Sequence, residues 1–401
     1  MLVHWIWFAT LPGLTARQRL ALLDRFSDPE DLYHMEEPDR IPELPEAVAQ
    51  ALANKDLHKS RQIVKSCGER HISILTMGDA AYPSRLRNIA DAPMVLYYRG
   101  VLPDFEGQPV IAVVGTRKAS AYGMNNARNM SREIAACGAL VVSGGASGVD
   151  TMALEGALEA GAQTVAVLGC GVDVVYPNSN RKLFDKIAES GCLISEYLPG
   201  TGPKPWQFPE RNRILSGLSN GVLVIEAPSK SGALITAQRA FEQGRDVFAV
   251  PGNIDVDTYA GSNALLQECA AAVLSGWDVV KQYADRYPDA VAKRQTQIRS
   301  ETPSFSMEET SPDQRTDKKD IDNPKPSAYI DLSKILSGLD SEERQIVACL
   351  DKNPKPVDAV IAQVGFPAAK VLSALTKLAL KGVVTNHPGR LVSAKITTDE
   401  M

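Results

Sequence analysis

The chain has 401 residues, of which 44% are hydrophobic and 23% are charged, and this composition is typical of folded globular domains. Its 43 basic and 48 acidic side chains give a formal net charge of -5, which excludes a uniformly basic coat for nucleic acid or for an anionic membrane. None of the five histidines lies between residues 72 and 386. We therefore expect neither histidine acid–base catalysis nor histidine metal ligation in that range.

Cysteine usage and hydropathy indicate the compartment. The six cysteines are scattered and never form a C-x-x-C pair, which is typical of reduced, buried thiols in a cytoplasmic protein. The apolar stretch at residues 1–11 is too short to span a bilayer and lacks the features of a secretory signal. No later run reaches the ~18 apolar residues that a transmembrane helix needs. The sequence predicts a cytoplasmic protein without membrane contact.

Residues 1–71 are predicted to form a helical N-terminal domain. Leu20, Leu23 and Phe26 have the spacing of a helix stripe and follow a turn at residues 11–15. Such a turn can belong to a helix–hairpin–helix or SAM-like element that contacts the DNA backbone. The second glycine of that element is missing here, so plain helical packing is the alternative.

The pattern changes from residue 72 onward, where short apolar runs alternate with glycine-rich turns and helical segments. Continuous apolar strands that alternate with helices indicate a parallel sheet buried on both faces. We predict a Rossmann-like α/β domain with a doubly wound parallel sheet over residues 72–285. The predicted strands include residues 72–75, 111–114, 140–142, 165–168, 192–194, 222–225 and 247–250.

Residues 286–328 are rich in proline, polar and charged residues, and this composition predicts a disordered linker. Residues 329–397 then carry three helical segments and a hairpin pattern, the plan of a winged-helix domain. Such domains dock onto nucleic acid or protein. A small helical domain without groove contact is the alternative, and the sequence leaves both open.

Glycine-rich turns follow several of the predicted strands. Because the carboxyl ends of parallel strands share one edge, these turns predict a phosphate-binding rim, although any one of them can be a simple tight connection. The pattern G-x-x-x-x-G-K-[ST] is absent, and residues 169–174 match a dinucleotide fingerprint only in part. We therefore expect no cofactor. The turns lie at residues 115–118, 143–150, 169–171, 226–232 and 251–253.

Residues 204–214 interleave basic and aromatic side chains, a pattern that suits single-stranded nucleic acid. Trp206 and Phe208 offer flat faces for stacking, although Trp206 can equally be a structural cover. Arg211 and Arg213 are two residues apart, so they cannot share one helix face. The alternative is that Phe208 belongs to the core and that the arginines pair with Glu210, Glu226 or Asp150 to hold the rim.

The succession of the motifs GTR, SGGASGVD, FPERNRILSGLS, IEAPSKSGALITA and VPGN resembles the DNA-processing protein DprA (Smf) family over about residues 80–275. The resemblance implies a homodimer that binds and protects single-stranded DNA and loads the RecA recombinase during natural transformation and recombination. It implies no catalytic turnover.

The resemblance also implies a set of DNA-binding residues, to which we add the neighbouring Lys118 and Arg213. Leu265 and Leu266 are our hypothesis for the dimer seam, with core packing as the alternative for each. The candidate DNA-binding residues are Gly115, Thr116, Arg117, Lys118, Ser143, Gly144, Gly148, Lys204, Phe208, Arg211, Asn212 and Arg213.

The rival class is an enzyme. Nucleoside-monophosphate phosphoribohydrolases of the lysine decarboxylase-like type share a Rossmann-like fold and carry P-G-G-x-G-T-x-x-E after a strand. The comparable stretch here, from Ala227 to Thr236, lacks the glycine pair and the carboxylate. Glu226 and Asp150 remain near the predicted rim, but acids beside arginines are more often structural partners than general bases. We expect a binding protein, with the hydrolase as the alternative.

Overall fold

The computed structural model describes residues 1–36, 45–291, 340–351, 353–366, 368–380, 383–387 and 391–394. These residues fall into two compact units, one formed by the described residues up to 291 and the other by those from 340 onward. Most of the predicted linker, and the last residues of the predicted C-terminal domain, lie outside the described residues.

The first unit is built on a nine-stranded sheet with the strand order β1-β2-β6-β5-β4-β3-β7-β8-β9. In this spatial order, the seven strands from β6 through β3 to β9 pair in parallel, whereas β1 and β2 are added antiparallel at one edge. The strands are β1 (Ser73–Thr76), β2 (Val95–Gly100), β3 (Val110–Val114), β4 (Leu140–Ser143), β5 (Thr164–Val167), β6 (Cys192–Ser195), β7 (Gly221–Val224), β8 (Asp246–Ala249) and β9 (Ala271–Ala272).

Thirteen α-helices of this unit have both ends within the described residues, and residues 288–291 are helical as well. Five precede the sheet: α1 (Leu2–Thr10), α2 (Ala16–Phe26), α3 (Pro29–His34), α4 (Glu46–Ala53) and α5 (His58–Glu69). The others connect or follow strands: α6 (Ser84–Arg87), α7 (Ala121–Ala136), α8 (Val149–Glu159), α9 (Arg181–Ser190), α10 (Gln207–Leu218), α11 (Gly232–Glu242), α12 (Ala260–Glu268) and α13 (Gly276–Val280).

Both faces of the sheet are covered, as the continuous apolar strands predict. Val110, Ala112 and Val114 of β3 join the core that contains residues of α10 and α11, while Ile111 and Val113 join the core that contains residues of α7 and α8. Successive strand residues point to opposite faces, so one strand contributes to both cores. The predicted doubly wound α/β fold is confirmed.

Strand β2 is a feature that the strand–turn–helix pattern misses. It pairs antiparallel with β1 on one side and with β6 on the other. The chain passes from β2 to β3 through a loop, because no crossover helix is needed between two strands that are not parallel neighbours. A search for strands followed by helices therefore does not find it.

The N-terminal helices share a core with the sheet. Trp5 and Phe8 of α1 belong to the same buried cluster as Leu86, Leu96 and Val224. The boundary predicted at residue 71 thus divides one continuous core. At the other end, Tyr287 and Val291 are buried against the core on the α7 side, so the packed structure extends beyond the predicted limit at residue 285.

The second unit combines helices with a small sheet. Its described elements are α14 (Ser341–Ala348), β10 (Lys355–Pro356), α15 (Val357–Val364), α16 (Ala368–Leu380), β11 (Val384–His387) and β12 (Leu391–Ala394). The strand order is β10-β12-β11, and residues such as Val360, Val371 and Val392 form the core. This is the winged-helix plan. No helix in the described part of the chain is long and apolar enough to cross a membrane.

Candidate functional site

A cavity of about 570 Å³ lies at the carboxyl edge of the parallel strands, where ligands bind in doubly wound folds. Its walls come from the turns after β3, β4 and β7, from the start of α10 and from the loop after β8. Seven of the candidate residues line it: Gly115, Thr116, Arg117, Lys118, Phe208, Arg211 and Asn212.

The turn after β3 is fixed by its backbone. Thr116 N–H donates to the Glu226 carbonyl oxygen at 2.8 Å, and the Thr116 carbonyl accepts from Val149 N–H at 3.3 Å. At Gly115, an added Cβ would lie 2.5 Å from Val149 Cγ2, so glycine is required for this close approach. The side chains of Arg117 and Lys118 are exposed, which leaves both cations available to a ligand.

Arg117 lies over an aromatic ring on the cavity wall. Its guanidinium carbon is 5.1 Å from the centroid of the Phe208 ring, within cation–π range. Phe208 is also packed against Gly169, where an added Cβ would lie 2.9 Å from the ring carbon Cδ1. The wall therefore presents a planar cation on an immobilised ring.

Arg211 is buried, with a residue exposure of 5%. Its guanidinium donates to the carbonyl oxygens of Gly144, at 2.6 Å, and of Val167, and Nε donates to Asn212 Oδ1 at 3.2 Å. Burial lowers the pKa of Arg211, and the nearby carboxyl group of Asp150 opposes that shift. Arg211 thus ties the ends of two strands together beneath the cavity.

Asp150 lines the cavity from the first turn of α8 and is buried. Burial raises the pKa of this carboxyl group, while Arg211 and the N–H of Ala146, 3.3 Å from Oδ2, favour the charged form. The Asp150 carboxyl group therefore interacts with groups of the protein itself, namely the Ala146 N–H and the nearby Arg211 guanidinium.

Gly144 and Gly148 shape the turn after β4. A Cβ at Gly144 would lie 2.4 Å from Arg211 Nη2 and 2.6 Å from Asp150 Oδ2. Gly148 has φ +83° and ψ −128°, and a Cβ there would lie 2.5 Å from the Thr116 carbonyl oxygen. Both glycines permit close approach of neighbouring groups, and neither is among the residues that line the cavity.

Three other candidates are not brought into the cavity lining. Ser143 is fully buried, and its hydroxyl donates to the Val113 carbonyl at 2.7 Å within the sheet. Arg213 is outside the cavity lining and pairs with Glu196 at 2.6 Å and with Asp91 at 3.6 Å. The neighbouring Glu196 raises the pKa of Arg213 above its usual value, although burial alone lowers it.

Lys204, the third of these, is exposed at the start of the segment that leads into α10. Its backbone N–H donates to Gln207 Oε1 at 2.6 Å and its carbonyl accepts from Gln207 N–H at 3.0 Å. This backbone role holds the entry to the helix, and the Lys204 side chain is outside the cavity lining.

Residues absent from the candidate set also line the cavity. Lys230, Ser231 and Gly232 come from the start of α11, where Ser231 Oγ accepts from Ala233 N–H at 3.3 Å. In the sequence, the glycine-rich turn at residues 226–232 predicts this part of the cavity wall. Thr258 comes from the loop after β8, and no sequence motif marks it.

Glu226, an acid considered for the hydrolase alternative, is fully buried and outside the cavity lining. Its carboxylate accepts from the N–H of Ser120 at 3.1 Å, from the Ser120 hydroxyl at 2.8 Å and from the Tyr259 hydroxyl at 2.8 Å. Leu265 and Leu266 are partly buried on α12 and pack against the core on the α10 side. Their role in a dimer stays a prediction.

Comparisons with known proteins agree with the resemblance seen in the sequence. The family model of DNA recombination-mediator protein A matches residues 73–284, and that of the DprA winged helix domain matches residues 333–390. The chain is similar to protein Smf of Synechocystis sp., with 34% identity over 331 residues, covering 82% of this chain and 81% of the relative.

It is also similar to the DNA processing protein DprA of Streptococcus pneumoniae, with 43% identity over 232 residues, covering 57% of this chain and 78% of the relative. The solved structure of DprA from Streptococcus pneumoniae matches with a TM-score of 0.59 and 35% identity, over 70% of this chain and 98% of that structure. The chain therefore belongs to the DNA recombination-mediator protein A (DprA, Smf) family.

Proposed function

We propose that this protein binds single-stranded DNA in the cavity at the carboxyl edge of the sheet. On this proposal it is a cytoplasmic homodimer that protects incoming single strands and loads the RecA recombinase during natural transformation and recombination. Membership of the family, whose relatives are named DNA processing proteins, supports a role on DNA. The observation that carries the proposal is the exposed Arg117, which lies over Phe208 on the cavity wall.

The chemistry of the cavity suits a nucleic-acid strand. Arg117, Lys118 and Lys230 supply positive charge along the cavity lining, and the N-terminus of α11 directs backbone N–H groups to the same space. Basic groups and aromatic rings that share one concave surface can bind phosphates and bases of a flexible strand together. The formal net charge of -5 for the whole chain does not oppose this, because the basic groups are concentrated locally.

We further propose that binding occurs without turnover. Glu226 already accepts hydrogen bonds from Ser120 and Tyr259, and Asp150 lies buried beside Arg211, so both acids have structural partners. The hydrolase alternative is tested by incubating the protein with adenosine monophosphate and measuring free adenine. Sustained release of adenine would favour the hydrolase and contradict this part of the proposal.

The central test is Arg117→Ala, assayed by binding of an oligo-dT at several salt concentrations. The variant should bind more weakly, and the log–log slope of its affinity against salt should be shallower by about 0.7 for each phosphate that Arg117 neutralises in the parent. Arg132→Ala is the matched control, because Arg132 is an exposed arginine on α7 outside the cavity lining. If the Arg117 variant is folded and binds like the control, the assigned site is wrong.

The finer parts of the proposal need their own readouts. RecA loading is measured as RecA filament formation on an oligonucleotide coated with single-strand-binding protein, with and without this protein. Sedimentation of the parent and of a Leu265→Asp, Leu266→Asp double variant tests the dimer and its seam. A monomeric parent would contradict the dimer, and a double variant that stays dimeric would contradict the seam.

A further inference from the structure

Tyr176 extends the aromatic surface of the cavity wall beyond the residues that line the cavity. It lies in the loop between β5 and α9, and its ring centroid is 5.5 Å from that of Phe208, with the two planes at 39°. Tyr176 is 40% exposed. The sequence motifs gave no role to this residue.

Phe208 itself offers little free surface for a base. Its ring is approached by the backbone of Gly169, by the guanidinium of Arg117 and by the ring of Tyr176. Phe208 is also only partly exposed. The Phe208 ring thus already has three neighbours in the protein, whereas the exposed part of Tyr176 is accessible to a base.

The loop that carries Tyr176 is held in place at several points. Asp173 accepts from Gly200 N–H at 2.7 Å and pairs with Arg70 of the N-terminal helical segment at 2.5 Å. Within the loop, Val174 N–H donates to the Gly171 carbonyl at 2.9 Å. A ring on a fixed loop loses little further conformational freedom when it binds a ligand.

We propose that Tyr176 is the base-stacking residue of the single-stranded DNA site, and that Phe208 acts as the support that orients Arg117 toward phosphate. The inference rests on the proposed function and assigns separate roles in DNA binding to two residues. Arg117 contacts the charged backbone, and Tyr176 contacts a base next to it. Stacking on a ring is tolerant of sequence, because every base has an aromatic face.

The test compares two ligands of equal length and charge, an oligo-dT and an abasic oligonucleotide that keeps the phosphates but lacks bases. Tyr176→Ala should weaken binding of oligo-dT by about fivefold or more and leave binding of the abasic strand unchanged. Its salt slope should match that of the parent, since an uncharged tyrosine neutralises no phosphate. Arg117→Ala should weaken binding of both strands.

Two further variants keep the result interpretable. Tyr176→Phe keeps the ring and should bind both strands like the parent. Tyr176→Leu keeps apolar cover over Phe208 without a flat ring, and it should show the same selective loss as Tyr176→Ala. Thermal unfolding of each variant checks that the loop change has not unfolded the protein.

The possible failures are distinct. If Tyr176→Leu weakens binding of oligo-dT and of the abasic strand equally, Tyr176 has a role in loop structure. If the Tyr176→Leu variant binds oligo-dT as tightly as the parent does, no base stacks on Tyr176. Either result overturns the stacking role while the single-strand proposal stands. A parent protein that binds neither strand would overturn the proposed function as well.

Discussion

The cavity has two regions whose charged residues behave differently. The basic rim, formed by Arg117, Lys118 and Lys230, is built from exposed side chains. The charged floor, formed by Arg211 and Asp150, is buried, and its groups interact with the protein itself. The charged residues around this cavity therefore serve two purposes. Those of the rim are available to a ligand, whereas those of the floor determine the shape of the cavity that the ligand enters.

The largest expected effect is on the floor, through Arg211→Ala. This change removes the donors to the Gly144 and Val167 carbonyls and leaves the Asp150 carboxyl group buried without its neighbouring cation. Each buried acceptor left without its donor costs about 1–3 kcal/mol, so we expect a loss of about 3–5 kcal/mol in the free energy of unfolding. Urea denaturation measures this loss.

Two controls sharpen the comparison. Lys118→Ala, on the exposed rim, should leave the free energy of unfolding within about 0.5 kcal/mol of the parent. Arg213→Ala should cost less than Arg211→Ala, because its partners Glu196 and Asp91 are each about one-third exposed and can be hydrated. If Arg211→Ala is no more destabilising than Lys118→Ala, the floor is not a structural unit.

The next largest effect on stability is expected for Gly148→Ala, because Gly148 lies against the backbone of the turn that carries Arg117. A Cβ there meets the Thr116 and Arg117 carbonyl oxygens at 2.5 and 2.7 Å, and the backbone has φ +83° and ψ −128°, which favours glycine strongly. Strain and overpacking together predict a loss of about 2–4 kcal/mol in unfolding free energy and weaker oligo-dT binding, since the turn that carries Arg117 must shift.

Gly161 offers the matched control near the other end of α8. Its φ is +67°, and a Cβ there would meet nothing within 4 Å. Gly161→Ala should therefore show the cost of the backbone conformation alone, about 1 kcal/mol, with unchanged DNA affinity. Equal effects of the two substitutions on DNA affinity would show that the contact between Gly148 and the rim does not position Arg117.

Sequence patterns predicted the parallel sheet and the edge on which the cavity lies, because burial on both faces and glycine turns after strands are local signals. They could not assign the arginines of α10. Arg211 and Arg213 are alike in sequence, and their roles depend on which strands and acids the fold brings near each one. The same holds for Ser143, whose hydroxyl is used within the sheet, and for Tyr176, whose neighbour Phe208 is distant in sequence.

The smallest expected effect is the pH dependence that Asp150 contributes to stability. Burial raises the pKa of Asp150 in the folded protein above its ordinary value. In the interval between the unfolded and folded pKa values the folded state binds more protons, so ionisation of this group weakens folding as pH rises through that interval.

Asp150→Asn keeps the size of the side chain and an oxygen that can accept from Ala146 N–H, but it does not ionise near neutral pH. The difference in unfolding free energy, variant minus parent, should therefore increase as pH rises from about 4, the ordinary carboxyl value, and then level off above the folded pKa. Urea denaturation of both proteins across this range measures the difference. A difference that decreases with pH would mean that Arg211 and the Ala146 N–H stabilise the Asp150 carboxylate more than burial disfavours it.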